Sequence, residues 1–172
     1  MTTRNLKLDY RIEPLGSRHD RAAFSCGVAA LDIYIQRQAR QDMERNLAAV
    51  FVLTSDGKTI AGFYSLSAHS IHAAGLPEEL TRKLPRFPLP VTLLGRMAVS
   101  QSSHGQGFGE FLLMHALERA WLGSQQVASW AVVVDAKLGA RAFYLNYDFV
   151  PLPLKPDRLF LPMKTIERLF TS

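Results

Sequence analysis

The chain predicts one mixed α/β domain of α+β character, spanning residues 1–172, with a central, mostly antiparallel sheet flanked by helices. Three observations carry that expectation. The length of 172 residues suits a single hydrophobic core that needs no disulfide or zinc support. Strand-like and helix-like runs alternate in the order β, α, β-hairpin, β, glycine loop, α, β, α, β. The turn signal Asp56-Gly57 stands between two apolar runs, which makes the first half of the sheet antiparallel.

From Leu6 to Glu13 apolar Leu6, Leu8, Tyr10 and Ile12 alternate with polar residues, the pattern of a half-buried strand, and Pro14 ends it. Leu31, Tyr34, Ile35, Ala39 and Met43 recur at helical spacing and predict an amphipathic helix from about Ala29 to Glu44, with Arg37 and Arg40 on its outer face. Val50 to Thr54 and Thr59 to Ser67 are β-branched and aromatic runs on either side of SDGK, and should pair antiparallel. Five glycines and prolines between Gly75 and Pro90 leave room for one short helix near Glu78 to Lys83. VTLLGRMAVS (Val91 to Ser100) reads as a buried strand interrupted by Gly95, which marks a bulge or a close backbone approach. Beyond the glycine loop come a helix to about Gly123, a strand from Ser129 to Ala136, a helix from about Lys137 to Asn146, and short strands near Phe149 and from Arg158 to Leu161.

Composition narrows the function classes. With 48% hydrophobic and 20% charged residues, 11 Gly and 9 Pro, the chain has neither a disordered nor a collagenous bias. Cys26 is the single cysteine, so no internal disulfide forms, and a reducing cytosol is the expected compartment. The N-terminus lacks an apolar signal-like core, and no run approaches the roughly 18 apolar residues of a membrane span, so a cytoplasmic protein without a membrane partner is expected. The net charge of +5 favours an anionic partner, a nucleic acid or a phosphorylated cofactor. His69 and His72 have no evident third ligand, so no metal is expected. Cys26, Trp121 and Trp130 read as core residues.

Chemistry concentrates in SSHGQGFGEFLL. Gly105, Gly107 and Gly109 lie between a strand and a helix, so successive backbone N–H groups can point at one acceptor without Cβ atoms in the way. The following helix adds its unpaired amides and the positive end of its dipole, a combination suited to pyrophosphate. Glu110 and Phe111 follow Gly109 where a nucleotide P-loop needs Lys and Ser/Thr, and GQGFG has the wrong spacing for a Rossmann fingerprint. The strand, HGQGFG and the helix together resemble the coenzyme A loop of the GNAT family of N-acetyltransferases, written Arg/Gln-x-x-Gly-x-Gly/Ala. His104 takes the first place here, with Gly107 and Gly109 at the glycine places. A second stretch, ARAFYLNYDF (Ala140 to Phe149), resembles the family's A-x-x-F-Y-x-x-x-G-F helix, with Asp148 in place of the glycine.

The resemblance implies a GNAT fold that binds acetyl-CoA as co-substrate through His104, Gly105, Gln106, Gly107, Phe108, Gly109 and Lys137, with Tyr144 reaching the thioester. Backbone N–H groups around Met97, Ala98 and Val99 are the natural donors for the thioester oxygen. A phenol of ordinary pKa near 10 can protonate the departing thiolate, which makes Tyr144 the expected general acid. No base constellation stands out. A lysine amine near 10.4 must lose its proton before attack, whereas an α-amine near 7.7–8.0 is already partly neutral, which favours an α-amine substrate.

Further stretches narrow the likeness: Phe24 to Asp42, Leu84 to Leu113, Val133 to Tyr144 and the closing LFLPMKTI. Together they are similar to the acetyltransferase toxins of bacterial type II toxin–antitoxin modules. That resemblance implies N-acetylation of the amino acid on charged tRNA, a block on translation, a cognate ribbon-helix-helix antitoxin, a homodimer, and operator DNA bound through the toxin–antitoxin complex. The aminoacyl-tRNA substrate calls for basic contacts, for which Arg37, Arg40, Arg82, Lys83, Arg86 and Arg96 are the candidates. Two other readings are an acetyltransferase of a protein N-terminus or a small amine, and a non-catalytic module that binds acetyl-CoA or serves as an antitoxin co-repressor on DNA.

Overall fold

The computed structural model describes residues 9–85, 87–136 and 139–171. In chain order the elements are β1 (Arg11–Pro14), α1 (Ala29–Ile33), a π-helical stretch Tyr34–Gln38, α2 (Ala39–Glu44), β2 (Ala49–Thr54), β3 (Gly62–His72), α3 (Glu78–Thr81), β4 (Pro88–Val99), α4 (Phe108–Ser124), β5 (Ala131–Asp135), α5 (Arg141–Leu145), β6 (Val150–Leu152), β7 (Lys155–Pro162) and α6 (Met163–Phe170). The strands form a seven-stranded sheet in the order β1-β2-β3-β4-β5-β7-β6. β4 and β5 run parallel, Val91 opposite Ala131 through Leu94 opposite Val134, while β1–β2, β2–β3, β5–β7 and β6–β7 are antiparallel, in keeping with the mostly antiparallel expectation. Chain contacts divide the molecule into two compact units, residues 9–66 with 96–116 and residues 67–95 with 117–171.

In the first unit β1 and β2 pair antiparallel, as do β2 and β3. The expected second arm of the hairpin, from Thr59, begins instead at Gly62. The reason is local: the Asp56 carboxylate accepts the N–H groups of Lys58 and Thr59 (2.8 and 2.7 Å) and the Thr59 hydroxyl (2.7 Å), so these residues close the turn rather than enter the ladder. β3 also runs on to His72, past the expected end at Ser67, because β4 lies beside it in the sheet and pairing overrides weak strand propensity. Phe24, Tyr34, Ile35, Val50, Val52 and Phe63 form the core of this unit. Cys26 is buried within it, as expected of a small hydrophobe.

In the second unit β5 pairs antiparallel with β7, and β7 with β6. β4 starts at Pro88, three residues before the expected Val91; prolines are tolerated at a strand's beginning, and the Pro90 carbonyl accepts the Trp130 N–H at 2.7 Å. Ile71, Leu89, Val91, Val133 and Phe160 make the core, with the Trp130 ring stacked on Phe160 at 5.7 Å. The expected helix from Lys137 to Asn146 is shorter, Arg141–Leu145, and Lys137 lies outside the described residues. The first expected strand likewise falls partly outside them, leaving Arg11–Pro14. α6 was not foreseen. Met163 and Ile166 are its buried residues and Phe170 stacks on Trp121 at 5.9 Å, a three-then-four spacing that Pro162 masks in the sequence. No described helix is long and apolar enough to cross a membrane.

Candidate active site

The glycine loop belongs wholly to the first unit. After Val99 the chain makes a short 3-10 turn, Gln101–Ser103, tied down by the Gln101 N–H on the Ser25 carbonyl at 2.9 Å. His104 Nε2 lies 2.8 Å from the Val99 carbonyl oxygen, which can only accept, so the ring donates and pins the loop to the end of β4. Gly105 and Gly107 have φ of 80° and 76°, the left-handed region that other residues reach at a cost. α4 starts immediately after, at Phe108, whose buried ring meets Tyr10 at 4.6 Å and fixes the helix start. The result is an exposed turn of left-handed glycines opening onto a helix N-terminus, the arrangement that fits a pyrophosphate. No Cβ contact within 4 Å threatens Gly105, so what selects glycine there is the backbone angle rather than crowding.

Met97, Ala98 and Val99 lie on the stretch of β4 leading into this loop. The parallel ladder with β5 stops at Leu94, one residue before Gly95, so that glycine marks where β4 leaves β5, and residues 97–99 lie beyond that ladder. Arg96, one of the basic candidates, does not point at an acid: its guanidinium sits 3.7 Å over the Tyr34 ring. Tyr34 in turn donates its hydroxyl to Asp42 at 3.1 Å. Burial first, then the Asp42 carboxylate, push the Tyr34 phenol up to about 12. Burial and the Asp32 carboxyl push the Cys26 thiol up to about 11, which makes it unreactive near neutrality. Both groups hold protons in the folded chain that the unfolded chain releases first, Cys26 from about pH 8.5 and Tyr34 from about pH 10. Stability should therefore be intact below about pH 8.5 and fall as pH rises through 11 and 12, which urea midpoints read across that range will show. Cys26→Ala should flatten the part of the curve below pH 10; an unchanged slope would refute the assignment.

Tyr144 belongs to the second unit, on α5. Its side chain is buried, at 5% exposure, between Phe143 (5.2 Å) and Phe149 (5.4 Å), both edge-on. Burial raises its phenol well above the ordinary value, so the hydroxyl stays protonated throughout the physiological range, as a proton donor must. Asp148, the departure from the family's glycine, has φ of 67° and so adopts the glycine's own left-handed conformation. The turn into Phe149 is kept, with the Phe149 N–H on the Tyr144 carbonyl at 3.3 Å. Asp148→Gly should therefore hold or raise the melting temperature, while Asp148→Val should cost about 1–2 kcal/mol; a neutral valine would contradict the strain assigned to this turn.

The remaining basic candidates separate by unit. Arg37 and Arg40 are exposed in the first, where Arg40 also pairs with Glu44 at 3.3 Å, a weak surface pair. Arg82 and Lys83 are exposed beyond α3 in the second, and Arg86 lies outside the described residues. Among the described residues no three His, Cys, Asp or Glu side chains come together as a metal site. Sequence reading missed the Arg96–Tyr34–Asp42 chain and a bond between Arg158 and His69 (3.1 Å), both made between distant segments.

The acetyltransferase (GNAT) domain matches residues 46–151, a span that holds both the glycine turn and the tyrosine helix, and the chain belongs to that family of acetyltransferases. Within it the chain is 37% identical over 169 residues to a probable toxin TacT of Sinorhizobium fredii, covering 92% of this chain and 93% of that one. It is 36% identical over 146 residues to a tRNA-acetylating toxin of Mycobacterium tuberculosis, covering 84% and 87%. In three dimensions it is similar to AtaT solved with acetyl-methionyl-tRNAfMet, at a TM-score of 0.87 and 30% identity over 94% of this chain and 99% of that one. A tyrosine-to-phenylalanine mutant of AtaT bound to the C-terminus of its antitoxin AtaR and to acetyl-CoA gives a TM-score of 0.82 at 27% identity, covering 95% and 99%.

Proposed function

We propose that this chain is the toxin of a type II toxin–antitoxin system, which acetylates the α-amine of the amino acid carried by charged tRNA and so blocks translation in the cytoplasm. The observation that carries this reading is the likeness, over most of the chain, to toxins that acetylate tRNA. Acetyl-CoA supplies the acetyl group as an activated thioester. The backbone of His104 to Gly109 and the start of α4 would hold its pyrophosphate, with Lys137 a further contact. Backbone N–H groups of Met97 to Val99 would meet the thioester oxygen, and Tyr144 would pass its proton to the departing sulfur. An α-amine near 7.7–8.0 needs no dedicated base at cellular pH. Arg37, Arg40, Arg82, Lys83 and Arg86 would meet tRNA phosphates, while Arg96, stacked on Tyr34, would order the chain beside them.

The partners follow from the same reading: a ribbon-helix-helix antitoxin, operator DNA reached only through the toxin–antitoxin complex, and a second copy of this chain in a homodimer. The test is transfer of labelled acetyl from acetyl-CoA to a bulk charged tRNA pool, with deacylated tRNA as control. Label on charged tRNA alone is the expected result. Label on free amines or protein N-termini but not on charged tRNA would overturn the assignment.

A further inference from the structure

The second unit carries a pocket of about 490 Å³ that none of the residues placed in the reaction lines. β3 contributes His69 and Ile71, and the β6–β7 hairpin contributes Leu152, Leu154, Lys155 and Arg158. Its volume lies in the range of about 300–1,000 Å³ typical of sites that enclose a small-molecule-sized group. The walls are mostly apolar, with Ile71, Leu152 and the exposed Leu154 among them.

The polar groups share one sign. Arg158 donates from Nη1 to His69 Nε2 at 3.1 Å, and its other terminal nitrogen makes a long, partly exposed ion pair with Asp135 at 4.0 Å, a weak contact that a phosphate can share. Because a guanidinium cannot accept, His69 Nε2 must be the acceptor, which leaves the ring neutral with its proton on Nδ1. Partial burial and the nearby Arg158 and Lys155 charges favour that form, holding the imidazole below its usual value. Lys155 is exposed and has no ion pair among the described residues. A flat neutral imidazole beside a guanidinium plane, an apolar wall and an unpaired ammonium match a ligand with a flat body and an anionic group. Unstacked RNA bases are recognised in this way, on His rings and Arg planes with a cation on the phosphate. The pocket is also tied to the tyrosine helix: Arg141, the first residue of α5, donates to the Pro156 carbonyl at 3.0 Å, next to Lys155.

We propose that this pocket receives the single-stranded 3′ end of the charged tRNA, with a base against His69 and the Ile71, Leu152 and Leu154 wall and a phosphate on Lys155 and Arg158. The proposal rests on the tRNA reading and adds where the acceptor end is held. The test uses the full chain with two acceptors, charged tRNA and the methyl ester of the same amino acid, which has no nucleotides. Lys155→Glu and His69→Ala change exposed side chains and should fold. Both should raise KM for charged tRNA, Lys155→Glu by about tenfold or more, with kcat and KM for acetyl-CoA unchanged. Rates on the ester should not move, and Lys155→Arg should restore the wild-type KM. An unchanged KM for charged tRNA, or an equal loss on the ester, overturns the pocket assignment. Variants that keep their tRNA KM but escape neutralisation by an antitoxin would place an acidic peptide there and overturn it too. If the wild-type chain acetylates the ester and not charged tRNA, the tRNA reading itself fails, an outcome visible before any variant is made.

Discussion

Tyr144→Phe should lower kcat for acetyl transfer to charged tRNA by about 10²–10⁴-fold, the range a positioned general acid contributes. The change removes one oxygen and leaves the ring, so the edge-on contacts to Phe143 and Phe149 persist and the melting temperature should stay where it is. KM for acetyl-CoA should change little, since the proposed cradle for the cofactor lies in other residues. The wild-type rate should also show no decline attributable to this phenol up to about pH 10, because burial moves its ionisation upward from the ordinary value. A variant that folds, binds acetyl-CoA and retains more than about a tenth of the wild-type kcat would remove Tyr144 from the chemistry.

Gly107→Val should weaken acetyl-CoA binding by roughly 10- to 100-fold, the loss of one or two backbone donors to a charged oxygen. At φ of 76° a β-branched residue is strongly disfavoured, so the turn must relax and re-aim the N–H groups just before α4. The same substitution should cost about 1–2 kcal/mol of stability. Gly105→Val is the companion experiment, since open space surrounds its Cβ position and only the backbone angle resists the change. Titration calorimetry with acetyl-CoA reads the affinity directly. A valine at 107 that binds with wild-type affinity would show that the loop does not hold the pyrophosphate.

What the sequence made legible was local. The hairpin, the strand before the glycine loop and the helix after it are each written in residues that neighbour one another, and so is Tyr144 with its aromatic companions. Boundaries failed where distant partners decide them: Asp56 draws Thr59 out of the ladder, and β4 carries β3 to His72 through residues with little strand propensity of their own. The helix from Met163 to Phe170 hid behind a proline that starts it rather than breaks it. Arg96 looked like one more tRNA contact, yet its side chain lies on Tyr34, a partnership no spacing rule reports. Spacing alone sets His69 only beside His72, and its link to Arg158 spans eighty-nine residues.

His104 departs from the family's pattern in letter while its ring still delivers an N–H to the Val99 carbonyl. Arginine and glutamine also carry side-chain N–H donors. In this chain the place is held by a hydrogen-bonding role, one that donor capacity rather than charge satisfies. A search for further members of this branch would gain by grouping that column by donor capacity, admitting His, Arg and Gln alike and rejecting an aliphatic of the same size.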